Sequence, residues 1–422
     1  MAPDNNRVLL GYSGQTYPAG KQTIAAPATR QGFVVMYDSL GNRILGPVWV
    51  DSILGPPSNI TSGPEACFFT GHGGFSVVER QPAELATNLY LINFDSAGNL
   101  LDDPIVINDC QPPLVGCGSP QFIKGEQLPT GGFVVTWDGL FRWGVTPQNS
   151  MGAPFYRVFN SSAVPVSQTL LTTLDSSADV PCYLNDSLPF CGGNNGDVAA
   201  AEDGSFLIGW QSDMAIPSGW IGNKVVYRLF APDGSPLTPM ILASDAMSNQ
   251  VSVEPNVGYG NGHFYLIWTD SRNSGWLGQR DVLSQKVDRS GLLVGPNYRL
   301  NDIPFSPDHR PYWHGVANLG DKVLTIWDDE RDMPEDGHGL YAQITPDTLF
   351  GIYWPGDAVV DYAVNSSDVI AIVNYIFKSG APPMGGAQYA DVGADCQATA
   401  ADIIQLVNYV FKSGPPPLPP CE

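Results

Sequence analysis

Two sets of three aspartates have the types and spacing to do chemistry: Asp357, Asp361 and Asp368, then Asp391, Asp395 and Asp402. In each set they fall at positions 1, 5 and 12 of a twelve-residue stretch. Hard divalent cations prefer oxygen ligands. A twelve-residue calcium loop supplies them from positions 1, 3, 5, 7, 9 and 12, with position 7 acting through its backbone carbonyl. The spacing therefore predicts two calcium loops. The first would use Asp357, Asp361, the carbonyl of Ala363, Asn365 and Asp368, and the second Asp391, Asp395, the carbonyl of Gln397, Thr399 and Asp402.

Such loops need rigid elements behind them. After each loop apolar residues recur at i, i+3, i+4 and i+7, namely Val369, Ile372, Val373 and Ile376, then Ile403, Leu406, Val407 and Val410. That spacing predicts one apolar face on each of two helices, which can bury those faces against each other. The Gly of each Lys-Ser-Gly is expected to stop its helix, and the prolines beyond it prevent resumption. Residues 356–383 and 390–417 align without gaps, with VNY, FKSG and PP recurring in register. Loop then helix, twice, with Asp rather than the Glu of EF-hands at position 12, resembles the type I dockerin family.

That resemblance implies a small α-helical domain at 355–422 that binds calcium and plugs into a cohesin-like module. The contacts it implies centre on loop positions 10 and 11: Ser366 and Ser367 in one copy, Ala400 and Ala401 in the other. Because the copies differ, docking should not be equally good both ways round. A second copy of this chain is the other partner considered. Position 3 is Val359 and Gly393 where the family has Asn or Asp. Position 6 is Tyr362 and Cys396 where it has a turn-permitting Gly. Each loop thus lacks one ligand, so calcium is expected to bind weakly, or hydrogen bonds and a disulfide keep the shape in its place.

The preceding 354 residues are built from a different repeat. An apolar strand after a turn recurs as RVLLGY, GGFSVVE, GGFVVTW, GSFLIGW, GHFYLIW and DKVLTIW. Each is followed by a second strand closing in an Asp/Asn/Ser/Gly turn, such as GFVVMYDSLGN or KVVYRLFAPDG, which is a hairpin signature. Weaker third and fourth strands complete most units. Four short strands repeated six times predict a mainly β fold, a six-bladed β-propeller at 1–354. Its blades lie near 7–51, 65–109, 119–175, 197–245, 254–302 and 313–353. A pair of β-sandwiches is the alternative. The first unit begins at its second strand, so either the tail LFGIYW closes the ring or the first blade is incomplete. IWTDSR with DVLSQKVDRSGLLVG, and IWDDER with GLYAQITPD, resemble a secreted bacterial propeller repeat family. In that light Asp270 with Arg272, and Asp329 with Arg331, read as repeated ion pairs between blades.

Charge and composition narrow the function. A net charge of −22 leaves nothing to neutralise phosphates, which argues against nucleic acid and anionic membrane surfaces. No apolar run is long enough to span a bilayer. The N-terminus lacks a signal-peptide pattern, consistent with an export signal already removed. The cysteines pair locally as Cys110 with Cys117, Cys182 with Cys191, and Cys396 with Cys421, leaving Cys67 over. Such pairing favours an oxidising, extracellular compartment; seven free thiols are the alternative. No catalytic constellation is legible: the five histidines are scattered, no His-Glu-x-x-His or Gly-x-Ser-x-Gly occurs, and the acidic stretch 328–339 reads as a solvated loop. The expectation is a secreted binding or assembly protein. Its propeller presents a ligand surface, with a glycan as one candidate ligand, and its tail attaches it to an extracellular or cell-surface structure. The alternatives are a self-assembling structural subunit and a polysaccharide-active hydrolase or lyase.

Overall fold

The computed structural model describes residues 7–15, 30–38, 40–50, 53, 64–70, 73–82, 87–108, 115–142, 150–167, 170–171, 190–216, 219–244, 252–271, 280–301, 312–329, 339–347, 350, 356–359, 364–380, 383 and 387–418. Six antiparallel sheets follow one another along the chain. The first holds β1 (Arg7–Gln15), β2 (Arg30–Asp38) and β3 (Arg43–Trp49). The second holds β4 (Ala66–Phe69), β5 (Phe75–Pro82), β6 (Thr87–Phe94) and β7 (Ile105–Val106). The third holds β8 (Val115–Gln127), β9 (Phe133–Arg142), β10 (Ser150–Phe159) and β11 (Leu170–Leu171). The fourth holds β12 (Phe190–Ala200), β13 (Phe206–Ile216), β14 (Gly219–Phe230) and β15 (Ile241–Leu242). The fifth holds β16 (Ser252–Gly260), β17 (His263–Asp270), β18 (Asp281–Asp288) and β19 (Leu293–Arg299). The sixth holds β20 (Tyr312–Asn318), β21 (Lys322–Asp329) and β22 (Gly339–Pro346). Every sheet is an up-and-down meander, and each packs on the next: β1 on β4, β4 on β8, β8 on β12, β12 on β16 and β16 on β20. This is a β-propeller of six blades.

The packing explains the unbroken apolar runs. Successive side chains of a strand point to opposite faces. Val78 and Val135 meet in the core between the second and third sheets, while Val134 faces the fourth with Ile208. Leu207 and Leu266 meet between the fourth and fifth sheets, and Ile267 faces the sixth with Val323. A strand buried on both sides cannot alternate apolar with polar.

The end sheets differ from this pattern. In the sixth, β21 and β22 alternate, with Val323, Thr325 and Trp327 buried and Ile326, Leu340 and Ile344 exposed. The first has three strands among the described residues, with β1 at its edge. The sequence leaves open whether the tail after β22 completes that sheet. Where it is described, the tail turns the other way. Phe350 packs on Tyr265 and Tyr298 of the fifth sheet, with ring centroids 5.1 and 5.5 Å away. Asp347 accepts a 2.9 Å bond from Lys286 Nζ and another from the Tyr265 hydroxyl.

The outer hairpins share one turn. Asp38 accepts from the N–H groups of Leu40 and Asn42, Asp95 from Ala97 and Asn99, and Asp288 from Ser290 and Leu292. The Asn42 side chain, then its N–H, hold the Asp38 carboxyl below its ordinary value, and Asn99 does the same for Asp95. A carboxylate clamping the turn is why Asp recurs there.

The C-terminal module packs α1 (Ser366–Lys378) and α2 (Ala400–Lys412) around Ile372 and Leu406. One expectation needs correction. The left-handed residue ending each helix is Ser379 (φ 49°) or Ser413 (φ 54°), not the glycine after it. Gly380 and Gly414 instead donate to the carbonyls of Asn374 and Asn408. A Cβ there would lie 2.9 Å from those asparagines' backbones, so close approach rather than φ demands glycine.

The tryptophans ending the repeated strands give a test. Trp268 Nε1 donates to Asp270 at 2.9 Å, whereas Trp137 Nε1 is buried without an acceptor among the described residues. Trp268→Phe should cost about 1–2 kcal/mol more than Trp137→Phe, because only the former strips a donor from a buried carboxylate. Urea unfolding of the two variants measures the difference.

Candidate metal centre and docking face

The second loop brings its three carboxylates together. Asp391, Asp395 and Asp402 offer oxygens that all lie within 4.8 Å of one another, with Asp391 and Asp402 buried and Asp395 exposed. Asp391 accepts from the N–H groups of Asp395 at 3.1 Å and Cys396 at 2.9 Å, folding the loop around its first residue. The turn needs left-handed backbone at Ala394 (φ 59°) and Cys396 (φ 66°). Position 6 therefore takes the conformation that favours glycine without being glycine. Cys396 is disulfide-bonded, which ties this turn to the chain elsewhere. A further clamp is the bond from Leu418 N to the Val392 carbonyl at 3.0 Å. An oxygen-only set with three carboxylates fits a hard cation such as calcium. The residues that would hold it are Asp391, Asp395 and Asp402, with Gln397 and Thr399 at positions 7 and 9.

Positions 9 and 12 also cap the helices. Thr399 is the N-cap of α2: its hydroxyl accepts from Ala401 N at 3.2 Å, and Asp402 Oδ2 accepts from Thr399 N at 2.7 Å. Asp402 Oδ1 also accepts from Val392 and Gly393, each at 2.9 Å. Asn365 and Asp368 repeat this around α1. Asp368 accepts from Asn365 N at 2.8 Å and Val359 N at 3.0 Å, and Asn365 Oδ1 from Ser367 N at 2.7 Å. These are capping boxes, which satisfy orphan N–H groups at a helix start. Position 12 thus staples loop to helix by hydrogen bonds alone. The signal was present in Asn365-x-x-Asp368 and Thr399-x-x-Asp402 ahead of apolar runs, and the ligand spacing masked it.

In the first loop Asp357 and Asp368 are buried, while Asp361 and Ala363 lie outside the described residues. Gly356, just before it, has φ 83°, and a Cβ there would stand 2.8 Å from Leu406 and 2.9 Å from Pro417. The start of the first repeat is thereby seated on the end of the second.

The residues at positions 10 and 11, Ser366, Ser367, Ala400 and Ala401, are exposed. Beyond them two large apolar side chains on each helix face solvent: Ile370 (61 %) and Phe377 (64 %), then Ile404 (62 %) and Phe411 (63 %). They occupy the same places in the two repeats, seven residues apart on each helix. Each helix thus carries one stripe into the core and another outward, and the i, i+3, i+4 pattern reveals only the inner one.

Other expectations fall partly outside the described residues. Cys110, Cys182 and Cys421 lie outside them, and so do the side chains of Cys117 and Cys191, whose backbones run in β8 and β12. Cys67 is free, and burial, then nearby Glu79, push its thiol up to about 12, which makes it inert. Arg272 and Arg331 also lie outside, so the proposed ion pairs rest on their aspartates alone. Asp270 accepts from Ser252 Oγ at 2.8 Å and Asp329 from Trp327 Nε1 at 3.4 Å. Of the acidic stretch 328–339, Asp328, Asp329 and Gly339 are described.

Residues 355–411 match the family described as the Dockerin type I domain. Among proteins of curated function none matches the chain. Several solved structures match the chain at low identity. Polysaccharide lyase Uly1 is 10% identical, with a TM-score of 0.43 over 82% of this chain and 76% of that one. A protein of unknown function from Dyadobacter fermentans is 10% identical, with a TM-score of 0.41 over 67% and 78%. A GH43 endo-arabinanase from Bacillus licheniformis is 12% identical, with a TM-score of 0.33 over 68% and 92%.

The hydrogen bonds of position 12 predict a split between two aspartates. With calcium removed by chelator, Asp402→Ala should weaken α2 by about 1–2 kcal/mol, the scale of a lost cap. Asp395→Ala should leave it unchanged, because its exposed carboxylate braces only Gln397 N. Hydrogen exchange of the α2 amides in the full chain separates the two.

Proposed function

We propose that this protein is a secreted, non-enzymatic binding component held in an extracellular or cell-surface assembly. Residues 355–422 dock it onto a cohesin-bearing partner, and the propeller of residues 1–354 presents the ligand surface. The observation that carries the reading is the duplicated outer stripe beside loop positions 10 and 11, within the segment that matches type I dockerins. Paired apolar side chains more than half exposed are costly on an isolated surface and useful on one that is covered. Calcium in the second loop, and in the first if Asp361 joins Asp357 and Asp368, would fix the helix starts from which the stripes project. Among the described residues no helix is long and apolar enough to cross a membrane, so attachment through a partner module is consistent with them.

One observation favours a second reading, a polysaccharide-active enzyme delivered by the same tail. Burial, then Asp197, push the Glu126 carboxyl up to about 8. Burial pushes Asp138 up to about 7, with the N–H groups of Asn195 and Gly196 opposing it. Carboxyls that titrate near neutrality suit general acid–base work. Release of reducing or unsaturated sugar ends from polysaccharide by the purified chain would replace the binding reading with this one.

The docking reading is tested with an immobilised type I cohesin module. The full chain should bind in calcium and lose at least tenfold affinity in chelator. Deleting residues 356–422 should abolish binding. Ile370→Ala with Phe377→Ala, or Ile404→Ala with Phe411→Ala, should each weaken it, and unequally, because positions 10 and 11 differ between the repeats. Sedimentation of the same proteins checks the self-assembly alternative, which requires a concentration-dependent oligomer that the deletion removes.

A further inference from the structure

Three inner strands break register at the same place. Pairing of β8 with β9 passes from Gln121–Asp138 to Lys124–Thr136. That of β12 with β13 passes from Asn194–Gln211 to Asp197–Gly209, and that of β16 with β17 from Val253–Thr269 to Asn256–Ile267. Each time the inner strand advances three residues while its partner advances two, which is a β-bulge. The bulges put Phe122 (φ 46°), Asn195 (φ 56°) and Glu254 (φ 59°) in left-handed backbone, a region that non-glycine residues seldom occupy.

Neighbouring blades hold two of these bulges in place. Asp138 of the third sheet accepts from Asn195 N and from Gly196 N of the fourth. Asp197 of the fourth accepts from Val257 N of the fifth at 2.9 Å. The backbone device repeats from blade to blade, as a structural feature should. Its side chains do not repeat: phenylalanine, asparagine and glutamate occupy the one position. A repeated scaffold with a different residue at each copy is how a ring of sheets builds one asymmetric site.

Those three residues border a single cavity of about 210 Å³, completed by Lys124, Pro255 and Asn256. Its volume lies below the roughly 300–1,000 Å³ of sites for drug-sized ligands, so it suits one ring-sized group. Phe122 is 43 % exposed and Pro255 gives a second apolar surface. Asparagine amides and a lysine supply donors and acceptors around them. Glu254 Oε2 is buried and accepts no hydrogen bond from the described residues. An orphaned buried carboxylate oxygen calls for a donor from outside.

We propose that this cavity is a carbohydrate site that takes one neutral sugar unit of a glycan, its apolar ring face against Phe122 and Pro255. Its hydroxyls bond to Glu254 Oε2, Lys124 and the amides of Asn195 and Asn256. Hydroxyl groups both donate and accept, so they match this mixed lining, whereas the net charge of −22 repels a polyanion. The inference rests on reading the propeller as the ligand-bearing body and is independent of the tail.

Affinity electrophoresis of the full chain in gels containing xylan, arabinan, β-glucan or mannan tests it, with polygalacturonate as the acidic control. At least one neutral polysaccharide should retard the protein. Phe122→Ala and Glu254→Ala should each lower the association constant about tenfold or more, the scale of a lost charge-assisted contact, with the unfolding midpoint kept. If Glu254→Ala does not fold, Glu254→Gln keeps the shape and should still weaken binding by removing the charge. A chain lacking 356–422 should be retarded as before while failing to dock on cohesin, which separates this site from the docking reading. Retardation by no neutral polysaccharide, by polygalacturonate alone, or equally in both variants would overturn the assignment.

Discussion

Val134 and Val135 are neighbours in one strand and belong to different cores, one shared with the fourth sheet and one with the second. This double burial is the constraint on which the propeller depends. A four-stranded sheet with two apolar faces cannot be stable alone, since each exposed valine or leucine forgoes about 1.5–3 kcal/mol of burial. Stacking the second to fifth sheets between two neighbours removes that cost, and it forces the centres of those blades into long apolar runs. The polar requirements fall on the outer turns and on the bulges of the inner strands. Asp38, Asp95 and Asp288 close outer turns, while Asp138 and Asp197 hold backbone N–H groups of the next blade.

The C-terminal module obeys a different constraint. Too small to rely on its core, it concentrates hydrogen bonds on one residue per repeat. Asp368 and Asp402 each cap a helix and staple a loop, so the position expected to complete a metal site also holds the fold. This explains how the second loop keeps its path with glycine at position 3. At Cys396 a disulfide holds a left-handed turn that glycine would reach without strain. Rigid helix starts then present the paired apolar stripes at fixed positions.

The two bodies meet a common problem in opposite ways. In the propeller, repetition of the backbone is kept and the side chains at the bulges diverge, so three blades contribute unlike groups to one cavity. In the tail, repetition extends to the side chains, and Ile370 with Phe377 mirrors Ile404 with Phe411. The first arrangement suits recognition of one small asymmetric ligand. The second gives two nearly equivalent faces, distinguished by serine or alanine at positions 10 and 11.

Much of this was legible in the residues themselves. Strand after strand of the propeller, the Asp/Gly turns, the two amphipathic helices and the aspartate spacing all follow from local periodicity, because hydrophobic pattern and turn chemistry act over a few residues. The capping boxes were legible too, although the same residues also read as ligands. What no local pattern could give is the meeting of Phe122, Asn195 and Glu254, which stand 73 and 59 residues apart in unrelated surroundings. They converge because β8, β12 and β16 each bulge at that point and because their sheets stack one on the next. Nor could the sequence say that Phe350 turns back onto the fifth sheet, or that Ser379 rather than Gly380 ends the helix. Those outcomes depend on which surfaces remain to be covered and how closely two backbones approach, and both are settled only when the chain has packed.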